Sequence, residues 1–334
     1  MEGQEIARME ISRETAYADI PRIDVHTHIR GEVETIAAYL RLRQIALEEH
    51  RIDLAMWIDL GGGKGPQTDQ ATVRQASQGR VLSCVYDFSP HTGLTVPPEE
   101  LPTRMADGYI GYKIWAGPHE RVLKGREDGY PYIDDPVHEP TFAVMEQKGI
   151  VGASIHIADP NGPYGDRHKW LPDPVEYWRN IHAWRRVLDR HPNLQVINAH
   201  MCWLCCQDAQ LDYLRNMLAT FSGLNVDLAA AFQYFYLLDR GNLRDFMVEY
   251  ADRILFGTDI SNVPKEEEER RVQQYFRCFQ ILETDGEVAG GFFGQTPTRG
   301  LELPRSVLEK IYWKNAARIY PAVATQLAQL GYAV

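Results

Sequence analysis

Ile23-Asp24-Val25-His26-Thr27-His28 is a short apolar lead-in that ends in two imidazoles. Successive strand residues point to opposite faces, so His26 and His28 share one face and Val25 and Thr27 take the other. Two imidazoles on one face make a poor core strand. They make a good pair of metal ligands, because neutral imidazole suits zinc, iron and related ions. Alone, the pair reads equally well as two chance histidines. The rest of the chain decides between these readings.

Outward from this stretch the sequence keeps a strand-then-helix rhythm. Apolar runs recur near Ile23–His26, Leu54–Leu60, Val81–Asp87, Tyr109–Trp115, Val151–Ile157, Leu194–His200, Leu224–Leu228 and Arg253–Thr258. Most are separated by enough residues for one helix, the signature of parallel βα units. Eight units predict an α/β fold, a (β/α)8 TIM barrel with insertions in the loops at its C-terminal face. Helices are expected over Glu34–Glu49, Pro174–Asp189 (Val175, Trp178, Ile181, Trp184 and Leu188 at helical spacing) and Arg305–Ala317. Gly117–Pro140, Asp159–Pro174 and Asn262–Pro304 read as irregular stretches, and two of them follow strand ends, where they could form lids or substrate walls. Gly61–Gly65 lacks the Walker spacing and reads as a flexible substrate loop.

The bulk numbers narrow the class. At 334 residues, 44% hydrophobic and 24% charged, the chain suits one large barrel, expected as a single domain over 1–334 with its core at about 20–320. No apolar run approaches the roughly 20 residues of a membrane span. Met1–Tyr17 has no apolar signal core, which points to the cytoplasm. The net charge of −11 argues against nucleic acid or an anionic membrane as partner, while leaving room for a small anionic substrate in a locally positive pocket. The 7 Trp and 17 Tyr allow a homo-oligomer interface or a barrel's helical shell. Five cysteines argue against a disulfide framework, and Cys202, Cys205 and Cys206, with no second pair to complete a four-sulfur site, read as buried inert thiols.

The other candidate groups fall at or near the ends of predicted strands. His156 lies in the fifth run, His200 ends the sixth, and Asp259 closes the eighth. Barrel enzymes draw their catalytic groups from these ends. Asp259, if buried, needs a cationic partner, and a metal supplies one.

Here the chain resembles the amidohydrolase superfamily, and within it the amidohydrolase-related branch of metal-dependent hydrolases, lactonases and decarboxylases. The pieces that carry the resemblance are Asp24-Val25-His26-Thr27-His28, Gly111-Tyr112-Lys113-Ile114, Ile155-His156, Asn198-Ala199-His200, Phe256-Gly257-Thr258-Asp259 and Asn315-Ala316-Ala317-Arg318-Ile319-Tyr320. The resemblance implies a divalent metal held by His26, His28, His156 and Asp259, zinc first, with Mn2+, Fe2+ or Co2+ compatible. It implies His200 and Asp259 as the groups that move the proton of the attacking water, or His200 as a ligand to a second metal. Lys113 would bind a substrate carboxylate or Asp259 as an ammonium, would bridge two metals if carboxylated, or would pair with a buried acid. The expected activity is hydrolysis of an ester, lactone or amide of a small substrate, with a carboxylated one compatible. A decarboxylase would use much the same ligands, and a non-catalytic barrel stabilised by its metal is the third reading.

Several residues carry plainer expectations. Asp24 could orient an imidazole through its other nitrogen. Arg30 reads as an exposed loop residue, His168, His182 and His191 as solvent-exposed, Glu266–Arg271 as a solvated helix face, and Phe232–Tyr236 as core or subunit contact. Nothing in spacing singles out His91, His119 or His138.

Overall fold

Parallel strands follow one another around the molecule in sequence order. They are β1 (Arg22–Thr27), β2 (Leu54–Asp59), β3 (Val81–Ser83), β4 (Val85–Asp87), β5 (Tyr112–Ile114), β6 (Gly152–Ile155), β7 (Val196–Asn198), β8 (Leu224–Asp227) and β9 (Ile254–Leu255). The computed structural model describes residues 15–62, 67–87, 94–116, 131–161, 173–261, 263–290 and 296–333. Each of the eight apolar runs holds a strand; β3 and β4 are halves of one run, parted at Cys84.

The pairing order is β1-β2-β3 and then β4-β5-β6-β7-β8-β9. Across the break, the Cys84 N–H donates to Asp59 O (2.8 Å) and the Val85 N–H to Gly111 O (2.9 Å). At the other end, Val25 N–H donates to Phe256 O (3.0 Å), Asp259 N–H to His26 O (2.9 Å) and His28 N–H to Ile260 O (2.9 Å). These bonds bring the last strand back against the first, so His26, His28 and Asp259 are neighbours by backbone pairing alone.

Helices occupy the connections. Pro174–Arg190 shows why. Asp173 caps it by accepting from the Val175 N–H, and Pro174 supplies a pre-set φ in the first turn. Tyr177, Ile181, Trp184 and Leu188 are buried, whereas Val175 is 75% exposed, so the apolar face is rotated from the expected one. One apolar cluster joins strand residues such as Trp57, Val196 and Leu224 to these helices through Tyr39, Trp184 and Leu214. A second joins Ile23, Val25, Ile58, Leu82 and Ile197 to Val323 and Leu327 of the helix Pro321–Gln329.

Two expectations need correction. Asn262–Pro304 is not irregular throughout: it holds the helix Glu268–Glu283 and an antiparallel pair, Glu287–Val288 with Thr298–Arg299. The charged run at the start of that helix hides its period, which appears only from Val272, Tyr275, Phe276 and Phe279 onward, and Arg271 is itself buried. His191 is buried rather than exposed, because it bridges Glu139 (3.0 Å) and Glu146 (3.1 Å) on the helix Glu139–Lys148. The closing helix runs from Arg305 to Ile319 with a wider turn at Lys310–Lys314. His182 and Arg30 are exposed as expected, His138 is buried, and the run Phe232–Tyr236 contributes Phe232, Tyr234 and Phe235 to the core. All five cysteines are buried and unbridged. His91, His119 and His168, most of 117–140 and of 159–174, and 63–65 of the glycine loop lie outside the described residues. Among the described residues no helix is long and apolar enough to cross a membrane.

A buried ion pair ties the start of the barrel to its end. Arg22 Nη2 lies 3.0 Å from Glu283 Oε1, its guanidinium sits over the Phe279 and Tyr312 rings, and the Tyr312 hydroxyl donates to the same carboxylate oxygen (2.7 Å). Removing one partner strands the other charge in the core. Glu283→Ala is therefore expected to lower the unfolding free energy by about 3–5 kcal/mol, read as a shift of the urea midpoint, with Glu283→Gln losing less.

Candidate metal centre

His26 and His28 leave β1 toward Asp259, which follows β9. His26 Nε2 stands 3.3 Å and His28 Nε2 3.2 Å from Asp259 Oδ1. The other ring nitrogens are tied down. His26 Nδ1 meets Asp227 Oδ2 at 2.9 Å, and His28 Nδ1 meets the Gly61 carbonyl at 2.7 Å. A carbonyl or carboxylate only accepts, so each Nδ1 donates and each Nε2 is left to face Asp259. Fixing the tautomer through the far nitrogen is how proteins present imidazole to a metal.

Asp227, at the end of β8, is the functional residue that sequence reasoning missed. Besides His26 Nδ1 it accepts from Ser154 Oγ (2.7 Å), the His200 N–H (2.9 Å) and the Ala229 N–H (3.1 Å). It is the last residue of β8 but lies inside the apolar run Leu224–Leu228, so the sequence does not mark it as a strand end. Asp24 does not orient an imidazole ring. It accepts instead from the His26 and Thr258 backbone N–H groups (3.1 Å each), Thr258 Oγ1 (2.5 Å) and the Tyr275 hydroxyl (2.7 Å), which fastens β1 to the segment carrying Asp259. The reason is geometric: Asp24 sits two residues back from His26, level with the Thr258 turn rather than with the rings. Burial pushes its carboxyl up to about 6 against these donors.

His200 donates from Nδ1 to the Ala229 carbonyl (2.7 Å) and stacks on Trp203 at 4.4 Å. Its Nε2 faces His156 Nδ1 at 3.2 Å, and His156 Nε2 lies 3.3 Å from Asp159 Oδ1. Among the described residues two groups of possible ligand atoms gather within 4.8 Å: His26, His28 and Asp259, and His26, His200 and Asp227. His156 joins the cluster through His200 and belongs to neither group. Lys113, on β5, is buried and donates from Nζ to the Ser154 carbonyl (2.5 Å), beside the serine that bonds Asp227.

Asp227 and Asp259 draw positive charge to His26. Burial disfavours charge on His26, yet Asp227, and after it Asp259, hold it up at about 8. Burial would raise the Asp259 carboxyl, but His26 first, with His28 beside it, keeps it well below the usual range. Burial and Lys113 hold His156 down at about 3; burial, then His26 and His156, hold His200 well below the usual imidazole value. Burial draws Lys113 down to about 8 against the pull of Asp227 and Asp259. A divalent cation meets the same demand with the imidazoles neutral. The donor chemistry fits such an ion: imidazole nitrogens and a carboxylate oxygen, each held from behind.

The backbone around the cluster is unusual. Ser154, His200, Met201, Cys202, Trp203, Ala230 and Asp259 all have φ between 47° and 62°. For non-glycine residues that conformation costs roughly 1–2 kcal/mol each, and such outliers gather at functional sites. Gly257 allows the close approach of β9 to β1, since a Cβ there would stand 2.9 Å from that of His26.

The family model described as Amidohydrolase matches residues 23–322 of this sequence. The chain belongs to the amidohydrolase family. No curated protein matches it significantly. Among solved structures it is similar to an uncharacterized TIM-barrel protein from Bordetella bronchiseptica (16% identity, TM-score 0.55, 91% of this chain and 100% of that one). It is similar as well to a protein from Pseudomonas putida provisionally named a 2-pyrone-4,6-dicarboxylic acid hydrolase (13%, 0.54, 91% and 98%). A third is the dihydroorotase of Saccharomyces cerevisiae in complex with 5-fluoroorotic acid (13%, 0.55, 90% and 84%). At these identities the likeness establishes the TIM-barrel fold.

Asp227 gives a direct test of the centre. Asp227→Ala leaves the Nε2 atoms in place but frees the ring of His26, and is expected to weaken zinc affinity about 10–100-fold in a chelator competition titration. Unchanged affinity would remove Asp227 from the centre.

Proposed function

We propose that this amidohydrolase-family chain is a metal-dependent hydrolase that cleaves an ester, lactone or amide of a small carboxylated substrate. The observation that carries the reading is the convergence of His26 Nε2, His28 Nε2 and Asp259 Oδ1 with both Nδ1 atoms anchored. His26, His28 and Asp259 would hold the ion, and His156 would turn from His200 to complete the set. Zinc is the first choice. A bound divalent ion can lower the pKa of water from 15.7 toward about 7 and polarise a carbonyl oxygen.

The protein's own groups do the rest. His200 is neutral and anchored through Nδ1, so it can accept a proton only at Nε2, on the side facing the cluster. Asp259 positions the attacking water and can share that proton. Lys113 gives the floor of the site a positive charge, which favours an anionic substrate over a neutral one. The relatives named for a pyrone dicarboxylate and for dihydroorotate chemistry act, by their names, on carboxylated rings, which supports the same substrate class.

The assay is a panel of carboxylated lactones, cyclic amides and esters with the zinc-loaded protein. Acid release without carbon dioxide is expected. Carbon dioxide release instead would make the protein a decarboxylase, and neither would leave a barrel that binds metal without chemistry. His200→Gln is expected to keep its zinc and lose about 10²–10⁴-fold in kcat, the usual worth of a proton-transfer group. Full activity in that variant would shift the proton role to Asp259.

A further inference from the structure

Asp259 faces the two imidazoles from a left-handed conformation, with φ at 62°. Strain of this kind needs support from its surroundings. On each side of Asp259 that support reaches a buried tyrosine on a helix. Before it, Thr258 Oγ1 donates to Asp24 Oδ2 (2.5 Å), and the same oxygen accepts from the Tyr275 hydroxyl (2.7 Å) of the helix Glu268–Glu283. After it, the Ile260 carbonyl accepts from the Tyr39 hydroxyl (2.8 Å) of the helix Val33–His50, and the Ser261 carbonyl is within reach of the same hydroxyl (3.1 Å). The Ile260 carbonyl also accepts from the His28 N–H (2.9 Å). Tyr39 therefore bonds the very atom that sets His28 beside the Asp259 turn.

Both hydroxyls are directed. Tyr275 accepts from Trp57 Nε1 (3.0 Å), which leaves its own proton for Asp24. Tyr39 faces two carbonyls, and a carbonyl only accepts. Burial pushes both phenols well above their ordinary range, so both remain protonated donors. The two rings are 0% and 1% exposed, and Tyr39 meets the Trp57 ring edge-on at 5.6 Å, so both tyrosines are braced against one side chain of β2. A phenylalanine would fill either space without the cost of burying a hydroxyl. What the oxygens add is a hold on the residues that flank Asp259.

We propose that Tyr39 and Tyr275 are positioning residues of the metal centre, resting on the metal site proposed above. They clamp the turn Thr258–Ile260 from its two sides and so keep Asp259 Oδ1 beside His26 Nε2 and His28 Nε2. Tyr275 acts through Asp24 and Thr258, and Tyr39 acts through Ile260.

The test is zinc affinity by chelator competition, with the unfolding temperature beside it, for the wild type, Tyr275→Phe, Tyr39→Phe and Tyr312→Phe. Tyr312 is the control, because its buried hydroxyl donates to Glu283 (2.7 Å) rather than to the Asp259 turn. Tyr275→Phe and Tyr39→Phe are each expected to bind zinc about tenfold more weakly, the low end for groups that hold ligands from behind. Tyr312→Phe should unfold at a lower temperature and bind zinc as the wild type does. Hydrogen exchange of the metal-free proteins gives a second readout. The Asp259 N–H, bonded to the His26 carbonyl, should exchange faster in the two clamp variants and at the wild-type rate in Tyr312→Phe. Each variant tests its own side of the turn, so one that fails to fold leaves the other decisive. Unchanged zinc affinity in the folded clamp variants, or an equal loss in Tyr312→Phe, would overturn the proposal by reducing the tyrosines to core packing. A wild type that takes up no zinc would refute the metal site itself. Exchange at Asp259 would then decide the clamp alone, faster exchange upholding it and unchanged exchange overturning it.

Discussion

The buried carboxylate of Asp227 holds the site together. It accepts from the His26 ring, the Ser154 hydroxyl and the backbone N–H groups of His200 and Ala229, and so joins β1, β6 and the segments that follow β7 and β8. His26, and after it His200, hold it down at about 2 in spite of full burial. An ionised, buried carboxylate in turn demands positive charge close by. Lys113 answers from below and His26 from beside it. The centre is thus a balanced set of charges.

That balance explains why the surrounding backbone tolerates strain. His200 through Trp203 run in left-handed conformation, and His200 is pinned at both its N–H and its Nδ1. Asp259, with φ near 62°, is held by backbone pairing to His26 and by the two imidazoles. Strain of this kind persists only where neighbours over-determine the geometry. The result is a fixed placement of His26 Nε2, His28 Nε2 and Asp259 Oδ1.

The barrel was legible because its strands are buried on both faces and read as apolar runs between helical segments. His26, His28, His200 and Asp259 were legible because they end such runs. Asp227 stands inside the run Leu224–Leu228, with Leu228-Ala229-Ala230 after it, so nothing in the sequence marks it as a strand end. The helix Glu268–Glu283 was hidden by its charged first turns. Asp24 was placed in the right neighbourhood with the wrong partner, because spacing along a strand gives the face and not the depth. His156 is at its expected strand end, but its ring stands against His200 rather than with the His26, His28 and Asp259 group.

The measurement that bears most directly on the metal centre is elemental analysis of the protein purified without added metal or chelator, reported per chain. Close to one transition metal per chain is expected, most of it lost in His26→Ala. A protein that carries none, and takes up none from added zinc, would contradict it.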